Sequence, residues 1–138
     1  PNLLAFADIP PVRVPCYPLT QQLAEKVHAY TLTYKSGETT RVKDWVDILL
    51  IAQIGKLSAK RLSDSLHATF DVRQTHALPE KLPKPPANWA RTFKKLAGEV
   101  QLEYDTIADA SEAVSQFLDP ILAGQARGQW NPTSWQWD

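Results

Sequence analysis

Along most of the chain apolar residues recur every three or four positions, the spacing that lines side chains up on one face of a helix. Leu23, Val27, Tyr30, Thr31 and Tyr34 keep this spacing behind Thr20, which can cap the segment, until Ser36-Gly37 breaks it. The pattern predicts a second helix from about Arg41 to Ile54, stopped at Gly55. A third runs from Ser58 to about Asp71, with Leu62, Leu66 and Phe70 in one stripe. A fourth, from about Asn88, places Trp89, Phe93, Leu96, Ala97 and Val100 together. Asp109 with Glu112 forms a capping box for a fifth, which carries Val114, Phe117, Leu118, Ile121 and Leu122. In the second helix the apolar run from Ile48 to Ile51 covers most of the circumference at about 100° per residue, so burial on every side is expected there.

Prolines punctuate the helical pattern. Pro79, Pro83, Pro85 and Pro86, with lysines between them, predict a stiff polyproline-like connector that crosses the surface and separates two helical groups. Over residues 8–18, Pro10, Pro11, Pro15 and Pro18 surround Val12, Val14 and Tyr17 and allow at most one edge strand. The fold class read from this is mainly α, a compact bundle of about five helices behind an extended lead-in. Residues 1–19 are read as that lead-in from a preceding domain, 20–123 as the helical domain and 124–138 as a tail. In the tail, Trp130, Trp135 and Trp137 are expected to strap the last helix to the core.

Composition acts mainly by exclusion. At 138 residues and 43% hydrophobic, the chain fits one domain. Fifteen basic residues balance fifteen acidic ones, so contact with nucleic acid has to come from a local patch. Lys81, Lys84, Arg91, Lys94 and Lys95, bracketing Trp89, are such a patch, and Arg91, Lys94 and Lys95 are its candidate contacts to a nucleic-acid backbone. The single cysteine, Cys16, excludes an internal disulfide and fits a reducing compartment; it is read as a packing residue. No apolar run approaches the roughly 18 residues of a membrane span, and the start Pro1-Asn2-Leu3-Leu4 lacks a basic signal region. A cytoplasmic location is therefore expected. His28, His67 and His76 fall on different elements with no second ligand at metal spacing, so no metal site is expected in this chain.

The densest chemistry lies in Arg41-Val42-Lys43-Asp44-Trp45-Val46-Asp47, four charges at the start of the second helix. The connector Lys35 to Thr40 is short enough to set the first two helices antiparallel. At about 1.5 Å of rise per residue, Lys26 lies roughly 12 Å before the end of helix one and Asp47 roughly 9 Å after the start of helix two. The two fall within one turn of each other. Asp44 follows one turn nearer the tip, with Glu25, Arg41 and Lys43 completing a charged patch. One reading is a structural ion pair of Lys26 with Asp47, Asp44 serving the helix dipole. The other is a site in which Lys26 binds phosphate while a carboxylate orients it, holds a metal-bound ligand or takes a proton from an attacking hydroxyl.

Gln22-Leu23-Ala24-Glu25-Lys26-Val27-His28-Ala29-Tyr30, followed by Arg41-Val42-Lys43-Asp44-Trp45-Val46-Asp47-Ile48, resembles the third and fourth motifs of the AbiEii/AbiGii-type nucleotidyltransferase toxin family. The resemblance covers roughly residues 10–122. It implies that Lys26 contacts the nucleotide, with Arg41 and Lys43 beside it, and that Asp44 or Asp47 is required for activity. It also implies magnesium and a nucleoside triphosphate as cofactor and substrate, RNA such as transfer RNA as acceptor, and a cognate antitoxin as a possible protein partner.

Members of that family resemble a sheet domain, bearing a Gly-rich loop and an Asp-x-Asp or Asp-x-Glu pair for magnesium, followed by a helical half. The sequence shows neither feature. Its nearest acidic pair, in Glu103-Tyr104-Asp105, has no Gly-Ser loop before it and is read as a solvated turn. The chain is thus expected to be the C-terminal helical half of such an enzyme, inactive alone. The non-enzymatic alternative is a helical module that docks a protein partner such as the antitoxin.

Overall fold

The structure, a computed structural model, describes residues 18–33, 41–104 and 106–138. Over these the chain forms α1 (Leu19–Thr33), α2 (Val42–Ile54), α3 (Ala59–Arg73), α4 (Ala90–Glu99) and α5 (Ile107–Leu122). A 3-10 turn at Ala87–Trp89 leads into α4, and a small antiparallel pair, β1 (Trp130–Asn131) and β2 (Gln136–Trp137), comes last. The fold is mainly α. The expected edge strand in the lead-in, Cys16, Tyr34, the Lys35 to Thr40 connector and Asp105 lie outside the described residues.

Two helix starts differ from the sequence reading. The carbonyl of Pro18 accepts the N–H groups of Gln21 and Gln22, so α1 opens at Leu19 and Thr20 sits inside its first turn. In α5 the cap is Thr106, whose hydroxyl accepts from the N–H of Asp109. Asp109 instead places a carboxylate in the first turn, where the helix dipole favours it. Ser58 caps α3 by accepting from the N–H of Arg61, and Gly55 follows α2 with its N–H on the carbonyl of Ile51.

All five helices feed one hydrophobic core, to which α1 gives Leu23, Val27 and Tyr30 and α5 gives Val114, Phe117 and Leu118. Within it α2 is not enclosed all round. Trp45, Val46, Ile48, Leu49 and Ile51 are buried, Leu50 is half-buried, and Lys43 and Ile54 are exposed. The helix packs against α1, α4 and α5, and its remaining side is left open by the described residues.

The proline connector also departs from expectation. Leu82 is buried, its N–H donates to Oδ1 of Asp119 at 2.9 Å, and the hydroxyl of Tyr30 donates to the carbonyl of Pro83. The segment is therefore stitched to the core, and because α2 touches helices on both sides of it, it divides nothing.

The three tail tryptophans strap the core as expected, each by an indole N–H to a helix carbonyl. Trp130 reaches Ala52, Trp135 reaches Ala113 and Trp137 reaches Phe117, all at 2.8–2.9 Å. The ring of Trp137 stacks on Phe117 at 5.8 Å. Gly128 makes the turn into this hairpin possible. Its φ is +71°, and a Cβ there would lie 1.5 Å from the carbonyl oxygen of Asp138.

Candidate functional site at the junction of the first two helices

In α2 the buried Val42, Trp45, Val46 and Leu49 fix the helix rotation, and that rotation turns Lys43, Asp44 and Asp47 outward. Across from them α1 buries Leu23, Val27 and Tyr30, which leaves Lys26 on the seam between the two helices. Tyr30, one turn farther along α1, lies against Trp45, nearer the start of α2 than Asp47. The helices are antiparallel.

The ammonium of Lys26 sits between two carboxylates. It donates to Oδ2 of Asp47 at 2.9 Å and, more weakly, to Oδ1 of Asp44 at 3.4 Å. Arg41 reaches the other oxygen of Asp44 at 3.2 Å, and Lys43 approaches Oδ2 of Asp47 at 3.5 Å. The central side chains keep some exposure, 24% for Lys26 and 23% for Asp47. A ligand can therefore reach them, while the surrounding protein keeps their interaction from being fully screened. Among the described residues three cations face two carboxylates.

For Lys26 the largest single influence, partial burial, works against the charged form. Its hydrogen bond to Asp47 and the attraction of Asp47 and Asp44 outweigh that, and the ammonium is held above the ordinary lysine range. Such a group is a fixed cation, suited to anion binding and unsuited to accepting a proton.

Of the charged residues expected here, Glu25 goes elsewhere. Its carboxylate pairs with Arg73 of α3 at 2.6 Å, one position from Lys26 but toward a different neighbour. Arg91, Lys94 and Lys95 are exposed on α4, as is Lys81 on the connector, and none enters the Lys26 cluster.

The sequence reading missed a second polar cluster on the opposite side of α1. Nε2 of His28 meets the Thr75 hydroxyl at 2.8 Å, that hydroxyl meets Nδ1 of His76 at 2.9 Å, and Nε2 of His76 meets the Thr31 hydroxyl at 2.6 Å. The two rings lie 4.8 Å apart. Burial pulls both histidines below their ordinary range; His28 is lowered further by His76 and Arg73, with Glu25 opposing. Gln21, Glu25 and His28, three polar residues at one-turn intervals, were the available signal that this side of α1 faces a polar partner.

The residues described do not fit a resident metal ion. No three His, Cys, Asp or Glu side chains converge among them, and the two carboxylates of the cluster are already held by cations.

A family model described as nucleotidyl transferase AbiEii toxin, type IV TA system, matches residues 1–120. The match takes in Lys26, Arg41, Lys43, Asp44 and Asp47 and ends inside α5, before the tryptophan tail. No curated protein and no solved structure matches the chain. The chain belongs to the AbiEii nucleotidyltransferase toxin family.

Proposed function

We infer that this chain is the C-terminal helical half of a cytoplasmic nucleotidyltransferase that moves a nucleoside monophosphate from a nucleoside triphosphate to an acceptor, RNA being the favoured class. The observation that carries the reading is Lys26 held between Asp44 and Asp47 across the seam of α1 and α2. An ammonium kept charged and partly accessible, with Arg41 and Lys43 beside it, attracts the polyphosphate. A neighbouring carboxylate serves as orienting group or proton acceptor. Carboxylates for magnesium belong to the sheet half of such an enzyme. Arg91, Lys94 and Lys95 on α4 are the surface by which a nucleic-acid backbone is tracked.

A labelled-nucleotide assay on the complete gene product tests this. Lys26→Ala and Asp47→Ala are expected to abolish transfer, whereas unchanged turnover in both leaves only a structural ion pair. The 138 residues alone, with magnesium, are expected to transfer nothing; measurable transfer overturns the assignment to a half-enzyme.

A further inference from the structure

In the histidine cluster on the far side of α1, counting protons sets the direction of every hydrogen bond. The Thr31 hydroxyl donates its single proton to the backbone carbonyls it faces, Val27 at 2.9 Å and His28 at 3.1 Å, so from Nε2 of His76, at 2.6 Å, it accepts. Burial favours the neutral form of both histidines. A neutral His76 that donates from Nε2 has a bare Nδ1, which accepts from the Thr75 hydroxyl at 2.9 Å. That uses the only proton of Thr75, and Nε2 of the buried His28 therefore donates to its oxygen at 2.8 Å. Thr75 itself is exposed.

One imidazole thus stands ready to take the Thr75 proton, and a second aims an N–H at the oxygen on which negative charge develops. A base within hydrogen-bond reach of an accessible hydroxyl is the arrangement of an activated nucleophile. Resting on the functional reading above, we propose that Thr75 is a modification site, the acceptor hydroxyl for a nucleoside monophosphate taken from a nucleoside triphosphate, with His76 as its proton acceptor. Thr75 lies across α1 from Lys26, so the transferring site belongs to a second copy of the protein.

In the step this implies, the Thr75 oxygen forms a bond to the α-phosphorus and its proton passes to Nδ1 of His76. The bond from the α-phosphorus to the bridging oxygen breaks, and pyrophosphate leaves with the electron pair. His76, then protonated on both nitrogens, returns one proton to water. The product is a phosphodiester whose threonine oxygen has no proton to give, so the hydrogen bond from Thr75 to His76 is lost on modification.

The test mixes two forms of the complete gene product with magnesium and labelled nucleoside triphosphates. The unmodified sequence is the donor, and an affinity-tagged Lys26→Ala chain, inactive on the functional reading, is the acceptor. Intact mass and peptide mapping of the tagged chain are expected to show a gain of one nucleoside monophosphate on Thr75. Thr75→Ser in the tagged chain is expected to keep the label, Thr75→Val to lose it, and His76→Gln to slow labelling by about 100-fold or more, the usual range for loss of a proton acceptor. Thermal melts of the tagged variants confirm that each is folded, and the Ser and Val pair decides the matter if His76→Gln is not. An unlabelled tagged chain, or label that persists in Thr75→Val, overturns the proposal, and an unchanged rate in His76→Gln overturns the role of His76. Total RNA in the same reaction separates the two levels of inference. If RNA is labelled and Thr75 is not, the modification site alone fails; if neither is labelled, the functional reading fails with it.

Discussion

The indole N–H of Trp130 donates to the carbonyl oxygen of Ala52 at 2.8 Å, joining the final hairpin to the last turn of the helix that carries Asp44 and Asp47. That carbonyl belongs to the group a helix leaves unpaired at its C-terminal end, and the indole supplies the missing donor inside the core. Trp130 is 2% exposed, so water cannot take over the role. Trp130→Phe is expected to cost about 1–3 kcal/mol, the penalty for a buried acceptor left unsatisfied. Trp130→Ala is expected to cost about 3–5 kcal/mol through lost packing. Urea unfolding followed by far-ultraviolet circular dichroism measures both, and unchanged stability in Trp130→Phe would show that the hydrogen bond contributes nothing separable.

Gly128 is the position where substitution acts through the backbone. An alanine there meets the Asp138 carbonyl and adopts a left-handed conformation costing about 1–2 kcal/mol before any clash. Gly128→Ala is expected to undock the hairpin, exposing Trp135 and Trp137 while the five helices persist. A red shift in tryptophan emission with an unchanged far-ultraviolet spectrum is the signature; an unshifted spectrum refutes it.

Stability should depend on pH on the acid side. His28 and His76 are both lowered in the folded protein, so the unfolded chain binds more protons once the pH drops below the ordinary histidine value of 6.5. Their contribution is complete above that value and is lost as the pH falls toward their folded values. Thermal melts between pH 7.5 and pH 5, an interval chosen to span histidine titration, should show a fall that flattens in His28→Gln. A slope that the substitution leaves unchanged would place the dependence elsewhere.

The α4 lysines make an electrostatic prediction. If Arg91, Lys94 and Lys95 track a phosphate backbone, RNA affinity falls steeply with salt, and reversal of Lys94 and Lys95 to Glu removes most of the binding and flattens the salt slope by about 2. Equal binding of the reversed variant ends this assignment.

Much of this architecture was legible in the residues, and for stated reasons. Counting helical rise from both ends of a short connector placed Lys26 level with Asp47, and the side chains meet there. Strong apolar periodicity likewise located the helices. What the pattern could not carry was direction around each axis: Glu25 and Lys26 are neighbours in sequence, yet one faces α3 and the other α2. Periodicity says which stripe is apolar and leaves open which helix lies against the polar flank. The Thr106 cap was passed over because Asp109, three residues on, offered a competing capping motif. The hairpin escaped because strands of two residues are too short to show alternation, and Leu82 because a lone apolar residue among prolines has no period at all.

The flanks of α1 constrain how its seam with α2 can respond to a ligand. On one flank Gln21, Glu25 and His28 are tied to Thr69, Arg73 and Thr75, and on the other Lys26 is tied to Asp44 and Asp47. Rolling this cylinder would break polar ties on both flanks at once. Movement at this seam is consequently confined to side chains within a stationary frame, and the stiffness of that frame owes as much to the Thr69, Arg73 and Thr75 flank as to the Lys26 flank.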